Sequence, residues 1–177
     1  MGLKLYVKET PAAVTRDWRP ISTYKEIMSI PNVTLIHPSV SAEKLMQNSS
    51  IVFTIAGTSG FEAAFYGKPS IVFSDVGYME LPSVSRVSEI EKLESIIKKS
   101  IKTKVNHVDL DKFVNYLESN IINFNWFEME SMIKEAFFFN GYTSDIEITE
   151  FQMKLFLEKN VQILNYVGKE YIKKMYK

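Results

Sequence analysis

All six prolines of this 177-residue chain lie between Pro11 and Pro82. Proline breaks helix interiors and is excluded from central strands. The chain therefore reads as two parts. Five of the seven glycines also lie at or before Gly77, so the first part reads as strands and helices joined by tight turns. Beyond Pro82 the text is rich in Glu, Lys, Ile and Phe, and it reads as helices. The length suits one ordinary domain, or a compact domain with a helical appendage. We expect a division into residues 1–106 and 107–177.

In the first part, short apolar runs alternate with helical stretches. Strands are expected at Leu3–Val7, Val33–Ile36, Ile51–Ala56 and Ser70–Phe73. The third is apolar apart from Thr54, as a strand covered on both faces should be. Helices are expected from a Ser22 cap to Ser29, from a Ser41 cap to Gln47, and from the Gly57–Gly60 turn to Tyr66, with Gly67 as a stop. Ser88-x-x-Glu91 predicts a capping box and a helix to Lys102. This alternation argues for an α/β fold: a parallel sheet of at least four strands flanked by helices, with a helical C-terminal third. That third holds three expected helices. Asp109–Ser119 is one, with His107 in the loop before it. Asn125-x-x-Glu128 opens another, ending at Phe139 before Asn140-Gly141. Thr149-x-x-Gln152 opens the longest, reaching Lys174. Its apolar residues Ile148, Phe151, Leu155, Val161, Leu164 and Ile172 share one face, which needs cover from the sheet domain, a second chain or a further domain.

Composition removes several function classes. The aromatic content of 13% excludes disorder as the main theme. With no cysteine, the chain has no disulfide, no thiolate metal site and no thiol nucleophile. The 21 basic residues balance 21 acidic ones, so there is no basic footprint for nucleic acid. No apolar run approaches a membrane span, and the N-terminus lacks the features of a secretion signal. These features suggest a soluble, cytoplasmic protein. No His and carboxylate cluster has metal-ligand spacing, and no metal or cofactor is expected.

The strongest chemical signal is Thr54-Ile55-Ala56-Gly57-Thr58-Ser59-Gly60-Phe61-Glu62-Ala63, where a strand turns into a helix. In open α/β sheets ligands bind beyond the carboxyl ends of strands. Glycines let the backbone approach a phosphate, and a helix start offers unpaired N–H groups. Ser59-x-x-Glu62 fits a plain capping box equally well. A second signal, Val7-Lys8-Glu9-Thr10-Pro11, ends the first strand, where Lys8 and Arg16 could face an anion. A solvated strand end with a turn at Pro11 is the competing reading. His37 beside Pro38 reads as a satisfied surface or turn histidine, with a ligand contact at the same sheet edge as the alternative. Lys98-Lys99, Lys102 and Lys104 read as a solvated helix face, with a membrane-surface role as the alternative.

The ordered set Leu5-Tyr6-Val7-Lys8-Glu9-x-Pro11, Arg19, Tyr24, Pro31-Asn32-Val33-x-Leu35-Ile36-x-Pro38, Ser41, Thr54-Ile55-x-Gly57-Thr58-Ser59-Gly60-x-Glu62-Ala63, Gly67-Lys68-Pro69, Phe73 and Tyr78 resembles the donor-binding half of capsule polysaccharide glycosyltransferases. That family includes the β-Kdo transferases of bacterial capsule export. The resemblance covers about the first 90 residues. It implies the C-terminal, Rossmann-like half of a GT-B fold, binding a nucleotide sugar such as CMP-Kdo. It also implies that Lys8, Glu9, Thr10, Gly57, Thr58, Ser59, Gly60 and Glu62 form the nucleotide and phosphate site, with Glu62 facing ribose or base.

Two departures from the family pattern stand out. Thr10 replaces the family's histidine, a group able to donate a proton to a leaving phosphate. The acceptor-binding half has no counterpart in this sequence, so the resemblance implies a chain inactive on its own. Its implied partners are an acceptor-binding domain or partner chain, a second copy of itself, and the inner face of the membrane. Two alternatives stay open: a degenerate, non-catalytic module that binds a ligand or partner, and half of a sugar-nucleotide epimerase.

Overall fold

The computed structural model describes residues 2–14, 18–138 and 147–175. Arg16, Phe139, Asn140 and Gly141, singled out above, lie outside the described residues. The chain forms two compact units, residues 1–118 and 119–177.

The first unit runs β1 (Leu5–Lys8), a 3-10 turn, α1 (Ile21–Ser29), β2 (Val33–Ile36), α2 (Ala42–Gln47), β3 (Val52–Thr54), α3 (Ser59–Phe65), β4 (Ser70–Val72), β5 (Val84–Arg86), a second 3-10 turn and α4 (Leu93–Ser100). α5 (His107–Asn120) follows and supplies core residues to this unit. Every strand pairing is parallel, so the α/β class holds. The single sheet of at least four strands does not. β1 pairs only with β2, with Leu5 opposite Val33, and β3, β4 and β5 form a separate three-stranded sheet. Local apolar runs specify strands but not which edges meet. The run Ile51–Ala56 yields a ladder edge of only three residues, because Ile55 and Ala56 leave the strand for an exposed turn.

Nor is β3 the strand covered on both faces. That position belongs to β4, whose three residues are all buried between β3 and β5. β5 was not expected at all. The text Val84-Ser85-Arg86 carries little apolar signal, yet Ser85 sits opposite Ile71 and its hydroxyl accepts from Ser100 Oγ at 2.9 Å. The core gathers Ala64, Val72, Tyr78, Leu81, Leu110 and Phe113, with Phe61 packed against it. Phe61 stacks on Tyr78 (centroids 5.9 Å) and meets Phe113 edge-on at 5.6 Å.

Turn chemistry explains several boundaries. Ser41 caps α2, accepting from Lys44 N–H at 3.3 Å. Gly67, at φ 68°, ends α3 in the left-handed conformation that glycine adopts without strain. Asn32, at φ 63°, makes the tight turn into β2. Other expected caps are absent. α1 starts at Ile21 directly after Pro20, ahead of Ser22, and has no side-chain cap. The Ser88 box is replaced by a 3-10 turn over Ile90–Lys92, and α4 starts at Leu93. α5 begins at His107 rather than Asp109, because Asn106 Oδ1 accepts from Val108 N–H at 2.9 Å.

The second unit contains α6 (Trp126–Phe137), α7 (Glu150–Lys159) and α8 (Val161–Met175). Asn125 caps α6, and Thr149 with Gln152 closes a full capping box on α7, both as expected. The single long last helix is instead two helices. At Asn160, which is buried, the side-chain amide donates to Phe156 O at 2.8 Å, as does its own backbone N–H at 3.1 Å. A side chain that competes for the i−4 carbonyl disturbs the helix at that point. Phe137 meets Phe156 at 4.9 Å, but Phe151, Leu155 and Ile172 on the expected apolar face stay exposed. No helix among the described residues is long and apolar enough to cross a membrane.

Candidate functional site

The turn after β3 is built by hydrogen bonds around Gly57. Its N–H donates to Thr54 Oγ1 at 3.0 Å. Its carbonyl accepts from the Tyr78 hydroxyl at 2.5 Å and from Gly60 N–H at 3.3 Å. Both glycines are needed for close approach. A Cβ on Gly57 would stand 2.7 Å from Thr54 Oγ1, and one on Gly60 would stand 2.6 Å from Tyr78 Oη. Burial, and secondarily the charge of Glu62, raise the Tyr78 phenol above its ordinary range, so the hydroxyl stays protonated and able to donate.

The helix start differs from the expected Ser59 capping box. Thr58 is the cap residue, and its side chain does not cap the helix. Instead its hydroxyl donates to Glu62 Oε1 at 2.6 Å. Thr58 has helical dihedrals, φ −63° and ψ −17°, which direct its side chain along the helix flank instead of over the first turn. Thr58 O accepts from Phe61 and Glu62 N–H at 2.9 and 2.8 Å. Among the described residues, the N–H groups of Thr58 and Ser59 and the Ser59 hydroxyl have no hydrogen-bond partner. Thr58 is exposed and Ser59 half-buried. The turn therefore presents two backbone donors and one hydroxyl at a position where an anion is favoured. Glu62, one turn in, already places a negative charge beside them and occupies the Thr58 hydroxyl.

The other expected site residues form a second, self-satisfied cluster at the end of β1. Lys8 Nζ donates to the carbonyls of Glu9 (3.2 Å) and Pro38 (3.0 Å). Glu9 accepts from Thr10 N–H at 2.9 Å, Arg19 Nε at 2.9 Å and Tyr24 OH at 3.0 Å. Its side chain is only 9% exposed. The Thr10 N–H, with help from Tyr24 and Arg19 and against the cost of desolvation, holds the carboxyl below its usual range. Glu9 thus acts as an organiser of residues 10–24, and Lys8 ties β1 to the segment after β2. Tyr24 also meets Trp18 edge-on at 6.4 Å.

So Gly57, Thr58, Ser59, Gly60 and Glu62 come together at one turn, and Lys8, Glu9 and Thr10 at another. No strand ladder joins the sheets that carry them. Sequence reasoning gave no role to Tyr78 or Arg19, whose partners lie 21 and 10 residues away. His37 is the satisfied turn histidine: its Nδ1 accepts from Ser39 N–H at 3.2 Å and lies 2.7 Å from Ser39 Oγ. Among the described residues, no group of three acidic or histidine side chains is arranged to hold a metal ion. No family model, no curated protein and no solved structure matches the chain.

Proposed function

We propose that residues 1–106 are a nucleotide-sugar-binding α/β domain from the lineage of surface-polysaccharide glycosyltransferases, with a donor such as CMP-Kdo. The observation that carries the reading is the pair of unpaired N–H groups on Thr58 and Ser59, at the carboxyl end of a parallel strand. The ordered motifs that resemble capsule glycosyltransferases support it. In this reading the donor phosphate accepts from Thr58 N, Ser59 N and Ser59 Oγ, which stabilise charge as the sugar leaves. Glu62 releases the Thr58 hydroxyl to the ligand and turns to the ribose. Arg19, linked to Thr10 through the Glu9 carboxylate that both contact, supplies a permanent cation near the position where the family pattern has a histidine. Lys8 and Glu9 serve by holding the β1 end in shape.

The acceptor would be bound by another domain or a partner chain, a second copy included, and the assembly would work at the inner face of the membrane. Proximity and a positioned base contribute several powers of ten to such transfers, so the 177-residue chain alone should show no turnover.

A non-catalytic module of the same fold is the second reading. The Thr58–Glu62 bond favours it, because it occupies the turn without a ligand. Titration with CMP, CDP and UDP, followed by backbone amide shifts, separates the two. Saturable movement of residues 57–62 supports the donor site, with a Kd of about 1 mM or tighter. If those amides stay still at several millimolar of every nucleotide, the turn is a helix start only and the second reading stands.

A further inference from the structure

The Gly67-Lys68-Pro69 motif lies at the opposite end of the three-stranded sheet from the Gly57 turn, and the proposed function leaves it unused. Three segments meet there: Ser49-Ser50 before β3, Gly67–Pro69 before β4, and the connection from Ile101 to the start of α5 at His107. They line a concavity of about 500 Å3. Its polar lining is Ser49, Ser50, Thr103, Lys68, Lys104 and His107, and it includes no carboxylate. The acid closest in sequence, Asp109, is outside the lining.

Two properties set this patch apart from a scatter of surface lysines. First, the whole chain is neutral, so the local excess of cations is not a consequence of overall basicity. The lining carries two lysines and no carboxylate, and among the described residues Lys68 and Lys104, like several other lysines, have no hydrogen-bond or ion-pair partner, so both are available to a ligand. Second, the walls are fixed. Gly67 sits at φ 68°, Lys68 N–H donates to Ala63 O at 2.9 Å, and buried Pro69 accepts from Val52 N–H at 3.0 Å. On the other side, Thr103 N–H donates to Ser100 O at 2.9 Å. Charged groups on preordered backbone lose less entropy when they close on a ligand.

We infer that this concavity binds a small phosphate-bearing anion, held by Lys68 and Lys104 with the Ser50 and Thr103 hydroxyls as further donors. The inference is independent of the nucleotide reading, since the two sites share no residue. The phosphate could belong to a free metabolite or to a lipid headgroup, which present the same chemistry to two ammonium groups.

The probe is inorganic pyrophosphate, titrated into the full chain while the amides of Gly67, Lys68 and residues 101–107 are followed. The expected result is a saturable shift at those residues, with a Kd of about 1 mM, that is present whether or not residues 57–62 also move. The Lys68→Ala/Lys104→Ala pair should weaken it by about fivefold or more, while Lys98→Ala leaves it unchanged. An unaltered far-UV spectrum and melting temperature show that the double variant is folded. A second arm is cosedimentation with phosphatidylcholine vesicles, with and without phosphatidic acid. Pyrophosphate binding without vesicle binding assigns a free phosphate. Binding of both, each lost in the double variant, assigns a headgroup phosphate. Non-saturable shifts, insensitivity to the double variant, or vesicle binding without pyrophosphate binding overturns the proposal, because each describes a diffuse basic surface and not a site.

Discussion

The two parallel sheets are made by the same local device, a short apolar strand followed by a helix, yet they differ in almost everything that follows. The β1–β2 ladder is the longer, four residues against three. Leu5 and Tyr6 of β1 are nevertheless 45% and 55% exposed, and α1 buries none of its residues. In the other sheet, Ser70, Ile71 and Val72 of β4 are 1%, 0% and 0% exposed. Hydrogen bonds between strands exchange one partner for another and add little net stability. Apolar surface removed from water supplies most of it. The core of the first unit therefore belongs to β4, α3 and α5, and the β1–β2 piece depends on local ties such as the Glu9 cluster.

Matched truncations in the two sheets test this contrast, and they carry the largest expected effect. Ile71→Ala should cost about 3 kcal/mol, because a fully enclosed side chain leaves a cavity behind. Leu5→Ala should cost under about 1 kcal/mol, because nearly half of the side chain is already in water. Urea unfolding of both variants measures the difference. Equal costs would mean that β1 is covered in solution by something that also buries Leu5.

Next come the contacts that fix the Gly57 turn onto the buried sheet. Gly60→Ala should cost about 2 kcal/mol, since the new methyl must displace the Tyr78 ring from a packed core. Tyr78→Phe keeps the ring and removes only the bond to Gly57 O, so about 1 kcal/mol is expected. Amide exchange should then accelerate at Gly60 and remain slow in β4. The pH dependence has a definite sign. The folded Tyr78 phenol titrates above its unfolded value. Its stabilising contribution is therefore complete below about pH 10 and is lost as the pH rises through the folded value. Wild type should lose stability there more steeply than Tyr78→Phe.

How much of this was legible in advance depended on distance along the chain. The Ser41, Asn125 and Thr149 caps and the Gly67 stop are local devices, and they stand where their residue types predict. The division of the strands into two sheets, the burial of β4 and the strand Val84–Arg86 are properties of edges and neighbours, which no short window encodes. The candidate site shows the same split. The Gly57–Gly60 turn could be read from its residues, whereas the Tyr78 bond that shapes it spans 21 positions. Local readings failed too: the Ser22, Ser59 and Ser88 caps do not form, and Asn160 is the instructive case. It sits within a pattern of helical periodicity, but its side chain bonds the backbone and divides α7 from α8.

The smallest expected effect lies at the end of β1, and it tests whether local ties hold the weaker sheet. Glu9 is held below its ordinary pKa, first by the Thr10 N–H and then by Tyr24 and Arg19, with desolvation acting in the other direction. A carboxylate with a depressed folded pKa contributes stability that is complete above about pH 4.3 and disappears as the pH falls through the lower, folded value. Arg19 is 61% exposed, so solvent screens its share of the attraction. Glu9→Gln keeps a side-chain oxygen for the Thr10 N–H and removes the charge. The variant should therefore lose a little stability at pH 7 and show a flatter stability profile below pH 4.3. With Trp126 replaced by Phe, the Trp18 fluorescence change should also spread over a broader denaturant range than the β4 transition followed by its amides. If Glu9→Gln leaves both the acid limb and that fluorescence untouched, the cluster is not what keeps the exposed sheet folded, and packing against α1 must be.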